Sequence, residues 1–301
     1  MTTAFLFPGQ ASALVGMPAE WGRASAPVRR LLEKASRLSG MPVPQMTSPA
    51  ALARTSRFQP VLTALSTGIA RELIGRGVRP DVVAGHSLGE LAACAAAGAM
   101  RDEAAVSVAV ARGRVMEREA ARHPGGMLAL PPGGRAEADA LVAVGSANGV
   151  VTVAAHNASD RWVVSGEWSA LREIESRTAA TRLAVAGPWH SPLMAGAVDE
   201  YRESLRDALT TPPSVPIGCN RTGEVVGDTG SLVELLAGQL THCVYWAEAM
   251  ATFRTLGVSR VVICGPGKAL RRSVEEALPR ADLFIVERPG DLAAVHSGVA
   301  A

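Results

Sequence analysis

The sequence predicts an α/β fold built on a mainly parallel sheet. Short apolar runs alternate with segments whose apolar residues recur at helical spacing, which is the pattern of strands joined by crossover helices. One apolar run leads directly into a serine flanked by glycines and then into a helical segment. The pattern changes near His123-Pro124-Gly125-Gly126, which indicates that a second, smaller unit is inserted there.

The first part of the chain supplies strands and helices of the predicted core. An apolar run stopped by Pro8-Gly9 and another that precedes Gly85 predict short buried strands. Apolar residues at spacings of three and four predict the helices. The strands are Ala4–Phe7 and Asp81–Ala84, and the helices are Val28–Leu38, Pro60–Arg76, Glu90–Ala97 and Asp102–Ala120.

The middle of the chain follows a different order of elements. Strands are predicted at Met127–Leu130, Val150–Ala154, Trp162–Ser165 and Thr181–Val185, with one helix directly before Trp162 and another at Trp168–Ala179. This βαββαβ-like order predicts a ferredoxin-like subdomain. We therefore expect an α/β-hydrolase-like core of residues 1–123 and 188–301, with residues 124–187 inserted as the ferredoxin-like subdomain.

The last part of the chain returns to the alternation of the core. A helix is predicted at Pro192–Leu209, a strand at Arg260–Cys264 and a further helix at Lys268–Leu278. From about Pro289 the pattern is weak, so a loose tail is expected there.

Composition and charge exclude several classes of protein. The chain has 301 residues, 48% hydrophobic and 19% charged, which is too apolar for a disordered chain. A formal net charge of +2 is too near zero to predict nucleic-acid binding, and no apolar stretch approaches the roughly 20 residues that span a bilayer. The N-terminal segment lacks the features of a signal peptide, so we expect a cytoplasmic protein. Four cysteines without metal-type spacing are expected to be small buried residues in a reducing compartment: Cys94, Cys219, Cys243 and Cys264.

The strongest chemical signal is the segment Gly85-His86-Ser87-Leu88-Gly89, which matches G-x-S-x-G between a predicted strand and a predicted helix. A sharp strand-to-helix turn would lift the Ser87 hydroxyl out of the sheet, and the small flanking residues allow the backbone to make that turn. The N–H groups at the start of the helix would favour an anionic intermediate. The alternative is a purely structural turn, but its placement favours a nucleophilic serine.

A nucleophilic serine needs a base, and the chain offers six histidines. His86 adjoins Ser87, so its side chain is expected to point away from the nucleophile. His190 lies where the inserted subdomain rejoins the core, a plausible place for a residue that faces a cleft. On pattern alone His190 remains a candidate, since a single histidine is usually a surface or core residue.

The chain resembles the malonyl-CoA:acyl carrier protein transacylases and the acyltransferase domains of polyketide synthases. The resemblance runs from about Thr3 to Leu278, and its markers follow the family's order. They are Phe7-Pro8-Gly9-Gln10, Gln59-Pro60, the Ser87 motif with Glu90, Arg112-Gly113 with Met116, Gly126-Met127, Asn157 with Val164-Ser165-Gly166, His190-Ser191-Pro192-Leu193-Met194, Gln239-Leu240 with Val244 and Trp246, and Gly265-Pro266-Gly267-Lys268.

The resemblance implies a ping-pong acyl transfer without a metal or a bound cofactor. A malonyl group passes from malonyl-CoA to Ser87 and then to the phosphopantetheine thiol of an acyl carrier protein, an acidic partner that binds transiently. His190 would be the base, oriented by a main-chain carbonyl near Gln239. The backbone N–H groups of Gln10 and Leu88 would bind the oxyanion, although Pro8-Gly9-Gln10 alone also fits an ordinary turn. We expect a monomer.

The resemblance also assigns residues to the substrate. Arg112 would pair with the free carboxylate of malonyl, which a planar guanidinium holds by two parallel hydrogen bonds. The alternative is one more exposed arginine on a helix that already carries Arg114 and Arg118. Further substrate-binding residues implied by the resemblance are Met116, Asn157, His86 and Trp189.

Two positions depart from the family pattern. Ala11-Ser12-Ala13 stands where the family usually has Gly-Ser-Gln, beside the oxyanion hole. Trp189 precedes the histidine where Phe or Ser is usual. A larger aromatic ring should crowd a substituent on the acyl group, so we expect a preference for malonyl over methylmalonyl.

Other functions use the same residues. A hydrolase that clears stalled acyl groups from carrier proteins would share the serine and histidine, and so would a transferase that moves another acyl group between carriers. Arg112 disfavours both, because those acyl groups carry no free carboxylate there. A non-catalytic carrier-binding module is disfavoured by the presence of Ser87, His190 and Gln239 together.

Overall fold

The computed structural model describes residues 1–10, 14 and 16–297. The departure at Ala11-Ser12-Ala13 therefore lies outside the described residues. The elements up to the inserted region are β1 (Thr2–Phe7), α1 (Met17–Ala24), α2 (Ala26–Ser39), α3 (Val43–Met46), α4 (Pro49–Leu52), α5 (Thr55–Gly75), β2 (Val82–Gly85), α6 (Gly89–Ala96) and α7 (Asp102–Arg122).

The remaining elements form the inserted region and the return to the core. The inserted region has β3 (Gly125–Ala129), α8 (Arg135–Ser146), β4 (Val151–Ala158), β5 (Arg161–Glu167), α9 (Trp168–Arg177) and β6 (Thr181–Arg182). After a 3₁₀ helix at Pro192–Ala197 come α10 (Val198–Ala208), β7 (Ile217–Gly218), β8 (Val225–Val226), α11 (Thr229–Gln239), β9 (Val244–Tyr245), α12 (Trp246–Thr255), β10 (Val258–Cys264), α13 (Lys268–Ala277), β11 (Asp282–Val286), a second 3₁₀ helix at Pro289–Asp291 and α14 (Leu292–Ser297).

The larger sheet has the strand order β11-β10-β1-β2-β7-β8. Its strands are parallel except β8, which runs antiparallel to β7. The central strand β1 has no exposed side chain from Ala4 to Phe7. Such a strand is covered by helices on both faces and therefore reads as a continuous apolar run. The α/β class predicted from the sequence is confirmed.

The smaller sheet has the order β6-β3-β5-β4-β9. The first four strands are antiparallel neighbours, and β9 adds in parallel to β4 from the part of the chain that follows the insertion. The predicted βαββαβ order is present, but the position of its first helix was wrong. That helix is α8, between β3 and β4, whereas a tight turn at residues 159–160 joins β4 to β5.

Three further predictions need correction. The helix predicted over Pro192–Leu209 is a 3₁₀ turn followed by α10. The strand predicted at Thr181–Val185 is only the two residues of β6. The loose tail predicted from Pro289 is wrong as far as residue 297, because Leu292 and Val295 are buried against the core.

Helices α5 and α7 pack closely against each other. A Cβ atom on Gly113 would lie 2.9 Å from the Cα atom of Ser56, so a glycine is needed where these helices touch. The neighbouring residue Arg112 is thereby held inside the protein. Among the described helices, none has a long enough apolar stretch to cross a bilayer.

Candidate active site

Ser87 lies in a tight turn between β2, which ends at Gly85, and α6, which begins at Gly89. Its backbone has a φ of 51°, in the left-handed region that L-residues disfavour. A Cβ atom on Gly89 would lie 2.2 Å from the carbonyl oxygen of Phe7, and one on Gly85 would lie 1.8 Å from the carbonyl carbon of Gly89. The two glycines are therefore required because the turn folds tightly against itself and against β1.

His190 reaches Ser87 from the segment that follows the smaller sheet. Its Nε2 atom lies 2.7 Å from the Ser87 Oγ atom, and its Nδ1 atom lies 2.9 Å from the main-chain oxygen of Gln239. Because a carbonyl oxygen only accepts hydrogen bonds, Nδ1 carries the ring proton and Nε2 accepts the proton of the serine hydroxyl. This is the arrangement of a nucleophile and its general base, with a main-chain carbonyl as the orienting group.

The surroundings of His190 keep its ring neutral. The side chain is buried, and burial together with the positive charge of Arg112 lowers the pKa of His190 to about 3. The hydrogen bond to Gln239 acts in the opposite direction but is the weaker influence. A neutral imidazole at neutral pH can accept the Ser87 proton without first losing one of its own.

Arg112 extends from α7 to the same hydroxyl. Its Nη2 atom donates to the Ser87 Oγ atom at 3.2 Å and to the Gln239 Oε1 atom at 2.7 Å. The residue is only 1% exposed, which rules out the reading of Arg112 as an ordinary surface arginine. Its guanidinium carbon lies 5.9 Å from the centre of the Tyr201 ring. Burial lowers the pKa of Arg112, but an arginine has a pKa high enough to keep its charge.

Two buried amides hold the peptide groups of Ser87, and sequence reasoning assigned this role to neither. Asn220 accepts the Ser87 N–H on Oδ1 at 2.6 Å and donates from Nδ2 to the Gly85 oxygen at 2.7 Å. Gln239 donates from Nε2 to the Ser87 oxygen at 3.0 Å. Asn220 follows the short strand β7 and belongs to no local motif, so no sequence signal pointed to it. Gln239 was assigned only its main-chain carbonyl.

Glu90 lies beneath these amides, one turn after Ser87. Its Oε1 atom accepts the Asn220 N–H at 2.7 Å, and its Oε2 atom accepts a hydrogen bond from Gln239 Nε2. The side chain is 2% exposed. Burial raises the pKa of Glu90 to about 8, although both hydrogen bonds and the charge of Arg112 favour its ionised form. The sequence placed Glu90 in the motif without a role.

The two residues predicted to form an oxyanion hole, Gln10 and Leu88, lie on different segments of the chain. Leu88 is the residue on which α6 begins, so its N–H belongs to the positive end of the helix. Gln10 follows β1, and its side chain donates to the Thr55 Oγ1 atom at 2.9 Å and accepts from Gln59 Nε2 at 3.4 Å. These contacts fix the Gln10 side chain on α5, and its role through the backbone N–H stays a prediction.

The other predicted substrate residues fall into separate groups. The Met116 sulfur accepts from Gln59 Nε2 at 3.3 Å on the Gln10 side of the site. His86 turns its Nε2 atom to the Asn157 Oδ1 atom at 2.8 Å, and both side chains line a cavity of about 90 Å³. Trp189 is buried, and the tip of its ring lies against Gly187. Their contacts with a substrate stay predictions.

Together these groups form the arrangement of a half-buried serine nucleophile, a neutral base and a buried cation within hydrogen-bonding distance of the serine hydroxyl. Such a site can form a covalent ester with an acyl group. The buried charge of Arg112 favours an acyl group that brings an anion with it, because an unpaired buried cation is costly.

Comparison with known proteins places this geometry in context. The family model described as acyl transferase domain matches residues 4–283. A polyketide synthase for phenolphthiocerol synthesis from Mycobacterium marinum is 31% identical over 96% of the chain, and the chain spans only 14% of that synthase. A malonyl CoA-acyl carrier protein transacylase from Mycobacterium bovis is 30% identical, with 96% of this chain and 97% of the relative covered.

A solved structure has the same fold over the full chain. It is a malonyl-transacylase in complex with its type II polyketide synthase acyl carrier protein, with a TM-score of 0.92 and 25% identity. The match covers 99% of this chain and 100% of that one.

Proposed function

Since the chain belongs to the acyl transferase family, we propose that it transfers a malonyl group from CoA to the phosphopantetheine thiol of an acyl carrier protein. The observation that carries the choice of malonyl is Arg112, a buried cation 3.2 Å from the Ser87 hydroxyl. Relatives of both the fatty-acid and the polyketide type match the chain, so the proposal covers either pathway. Cytoplasmic location and a monomeric state stay predictions.

The first half-reaction forms the acyl-enzyme. The Ser87 Oγ atom attacks the thioester carbon while its proton passes to His190 Nε2, along the 2.7 Å hydrogen bond between them. The carbonyl oxygen becomes an oxyanion, for which the N–H groups of Gln10 and Leu88 are the proposed donors. One such donor contributes about 10²–10³ in rate in other acyl-transfer enzymes. The carbon–sulfur bond then breaks, and the CoA thiolate takes the proton from His190.

The second half-reaction runs the same steps in reverse order. The carrier thiol loses its proton to His190 Nε2 and attacks the Ser87 ester, and the ester oxygen leaves with that proton. Because Nδ1 is held by the Gln239 carbonyl throughout, the ring presents the same nitrogen to both thiols. One base can therefore serve both halves of the exchange.

Arg112 supplies the preference among acyl groups. In the free site its Nη2 atom donates to the serine hydroxyl, and a malonyl carboxylate two bonds from the ester carbonyl would be a stronger acceptor for it. An acetyl group offers no such acceptor and would leave the buried guanidinium poorly paired. The same argument disfavours the hydrolase and the carrier-to-carrier transferase of other acyl groups.

The test is intact-protein mass spectrometry after brief exposure to malonyl-, methylmalonyl- and acetyl-CoA. We expect a malonyl adduct on the parent, none on Ser87→Ala, and an acetyl adduct in its place on Arg112→Ala. Arg114→Ala is the matched control, because Arg114 lies on the same helix but is exposed. Addition of a phosphopantetheinylated carrier protein should then move the malonyl mass from the enzyme to the carrier.

Two results would contradict the proposal. An adduct that forms only from monocarboxylic acyl-CoA would remove malonyl as the substrate. A malonyl adduct that disappears into water equally fast with and without the carrier would identify a hydrolase.

A further inference from the structure

The reaction proposed above makes no direct use of Glu90, although this carboxylate is buried directly beneath the site. Each of its oxygens accepts one N–H donor. The main-chain N–H of Asn220 donates to Oε1 at 2.7 Å, and the side-chain amide of Gln239 donates to Oε2. Two donors converge on the two oxygens of one carboxylate, which therefore fixes the positions of both residues.

The two residues anchored by Glu90 together contact every member of the proposed catalytic group. Asn220 binds the Ser87 N–H and the Gly85 oxygen, so its side chain bridges the left-handed turn. Gln239 binds the Ser87 oxygen with its side chain, the Arg112 guanidinium with Oε1 and the His190 ring with its main-chain oxygen. Glu90 is thus connected to the proposed nucleophile through Asn220 and Gln239. It is connected to the proposed base and to the cation through Gln239.

We propose that Glu90 is the positioning residue that sets the mutual geometry of Ser87, His190 and Arg112 by anchoring Asn220 and Gln239. The proposal rests on the acyl-transfer function in which these three residues act. It extends that function by giving a role to a residue that touches neither substrate nor a reacting atom.

A glutamine could not replace the carboxylate, although it has nearly the same shape. Glutamine has one acceptor oxygen and one amide donor, so either the Asn220 N–H or the Gln239 amide would face another donor. A buried donor without a partner costs far more than the net value of one hydrogen bond. The ionised carboxylate also interacts favourably with the charge of Arg112, and a neutral amide would remove that interaction.

The charge state of Glu90 gives the proposal a second readout. Groups that face Glu90 or interact with it electrostatically are Arg112 on α7, Cys94 on α6, Cys219 beside β7 and Tyr201 on α10. Burial raises the pKa of both thiols and of the phenol, so these three groups stay neutral near pH 8. Because the ionised carboxylate accepts both donors, the rate should rise with pH through the pKa of Glu90, about 8.

The experiment compares Glu90→Gln with Glu119→Gln. Glu119 is also a buried glutamate, but it pairs with Arg118 and Arg122 away from the site. Each protein is acylated with malonyl-CoA and, separately, labelled with a fluorophosphonate, a serine-reactive probe that carries no carboxylate. At pH 9, where the parent carboxylate is ionised, we expect Glu90→Gln to slow both reactions roughly 10- to 100-fold per folded molecule, with the KM for malonyl-CoA changed less than about threefold. The rise near pH 8 should be absent in this variant, and Glu119→Gln should behave as the parent.

The two probes separate this proposal from the proposed function. If malonyl-CoA is not the substrate, fluorophosphonate labelling of Glu90→Gln is still expected to slow. Parent-like labelling by Glu90→Gln at pH 9, or an equal loss in Glu119→Gln, would overturn the positioning role.

A second variant is available if Glu90→Gln does not fold. Gln239→Met removes the side-chain amide but keeps the main-chain oxygen that binds His190, and its labelling should slow by a similar factor. If both variants fold, the double variant should be no slower than the slower single one, because both changes break one network. Parent-like labelling by Gln239→Met, or additive losses in the double variant, would overturn the proposal.

Discussion

Ser87 and His190 share a 2.7 Å hydrogen bond and also an uncommon backbone conformation. They are the two non-glycine residues with positive φ in the described part of the chain, at 51° and 59°. Left-handed backbone disfavours L-residues, so it persists where surrounding contacts hold it. Here the contacts are known in detail: Asn220 and Gln239 bind the peptide groups of Ser87, and Gln239 also binds the His190 ring.

The strain at Ser87 predicts an unusual order of stability for two inactive variants. Ser87→Ala keeps the left-handed cost of about 1–2 kcal/mol, whereas Ser87→Gly removes it. Glycine loses roughly 0.5–1 kcal/mol through the entropy of the unfolded chain, so Ser87→Gly should still be more stable by about 1 kcal/mol. Chemical denaturation of both variants measures the difference.

Ser165 provides the control for that comparison. It lies in β5 and is buried, with ordinary strand backbone. There the glycine variant should be less stable than the alanine variant. The same order at Ser87 would mean that the turn stores no strain.

The lowered pKa of His190 predicts a ring that stays neutral in mildly acidic solution. An ordinary histidine gains a proton as the pH falls through about 6.5, whereas burial and Arg112 delay this step to about pH 3. Nitrogen NMR of histidine-labelled protein should therefore find His190 neutral at pH 5, with its proton on Nδ1. Removal of the nearby charge in Arg112→Gln should raise the pKa. A parent ring that titrates between pH 6 and 7 would contradict the prediction.

Tyr201 should sharpen the selectivity that we propose for Arg112. Its ring lies 5.9 Å from the guanidinium carbon, and its hydroxyl opposes part of the lowering of the Arg112 pKa by burial. Tyr201→Phe keeps the ring and removes the hydroxyl, so the ratio of malonyl to acetyl acylation should fall about five- to tenfold, and Tyr201→Leu should lower it further. Competition between the two CoA esters, read by intact mass, measures the ratio. An unchanged ratio in Tyr201→Leu would show that Arg112 needs no support from α10.

The sequence was sufficient for those parts of the site that local geometry determines. A strand, two glycines, a serine and a helix must follow one another to make the turn at Ser87, so the motif located the proposed nucleophile. His190 and Arg112 carried no such local requirement and were assigned through the resemblance. The structure then brought both to the Ser87 hydroxyl.

The contacts that hold the site together could not be predicted from a local sequence pattern. Asn220 lies 133 residues from Ser87 and Gln239 lies 152 residues from it, so no local pattern links either residue to Ser87. Asn220 reaches Ser87 because β7 pairs with β2, and Gln239 reaches it from the end of α11. The misplaced helix of the smaller sheet has a different cause. β4 continues to Ala158, beyond the predicted end at Ala154, so most of the gap before Trp162 that was assigned to a helix is strand and turn. Helix α8 has few fully buried residues to mark its period.

The last prediction concerns Trp189 and the choice between malonyl and methylmalonyl. The residue directly precedes His190 and is 4% exposed, and a Cβ atom on Gly187 would lie 2.6 Å from its ring tip. The indole is therefore buried and packed tightly against residue 187, and we expect a methyl substituent on the acyl group to meet an overpacking cost of about 1–3 kcal/mol beside it. Trp189→Ser should raise the ratio of methylmalonyl to malonyl acylation about 10-fold or more in a mixture of both CoA esters, and Trp189→Phe should give an intermediate ratio.

Gly187→Ala is the complementary test. Its methyl group must displace the indole, so this variant should be acylated more slowly by malonyl-CoA itself. A methylmalonyl ratio that stays constant across the Trp189 variants would place the selection against substituted acyl groups elsewhere in the site.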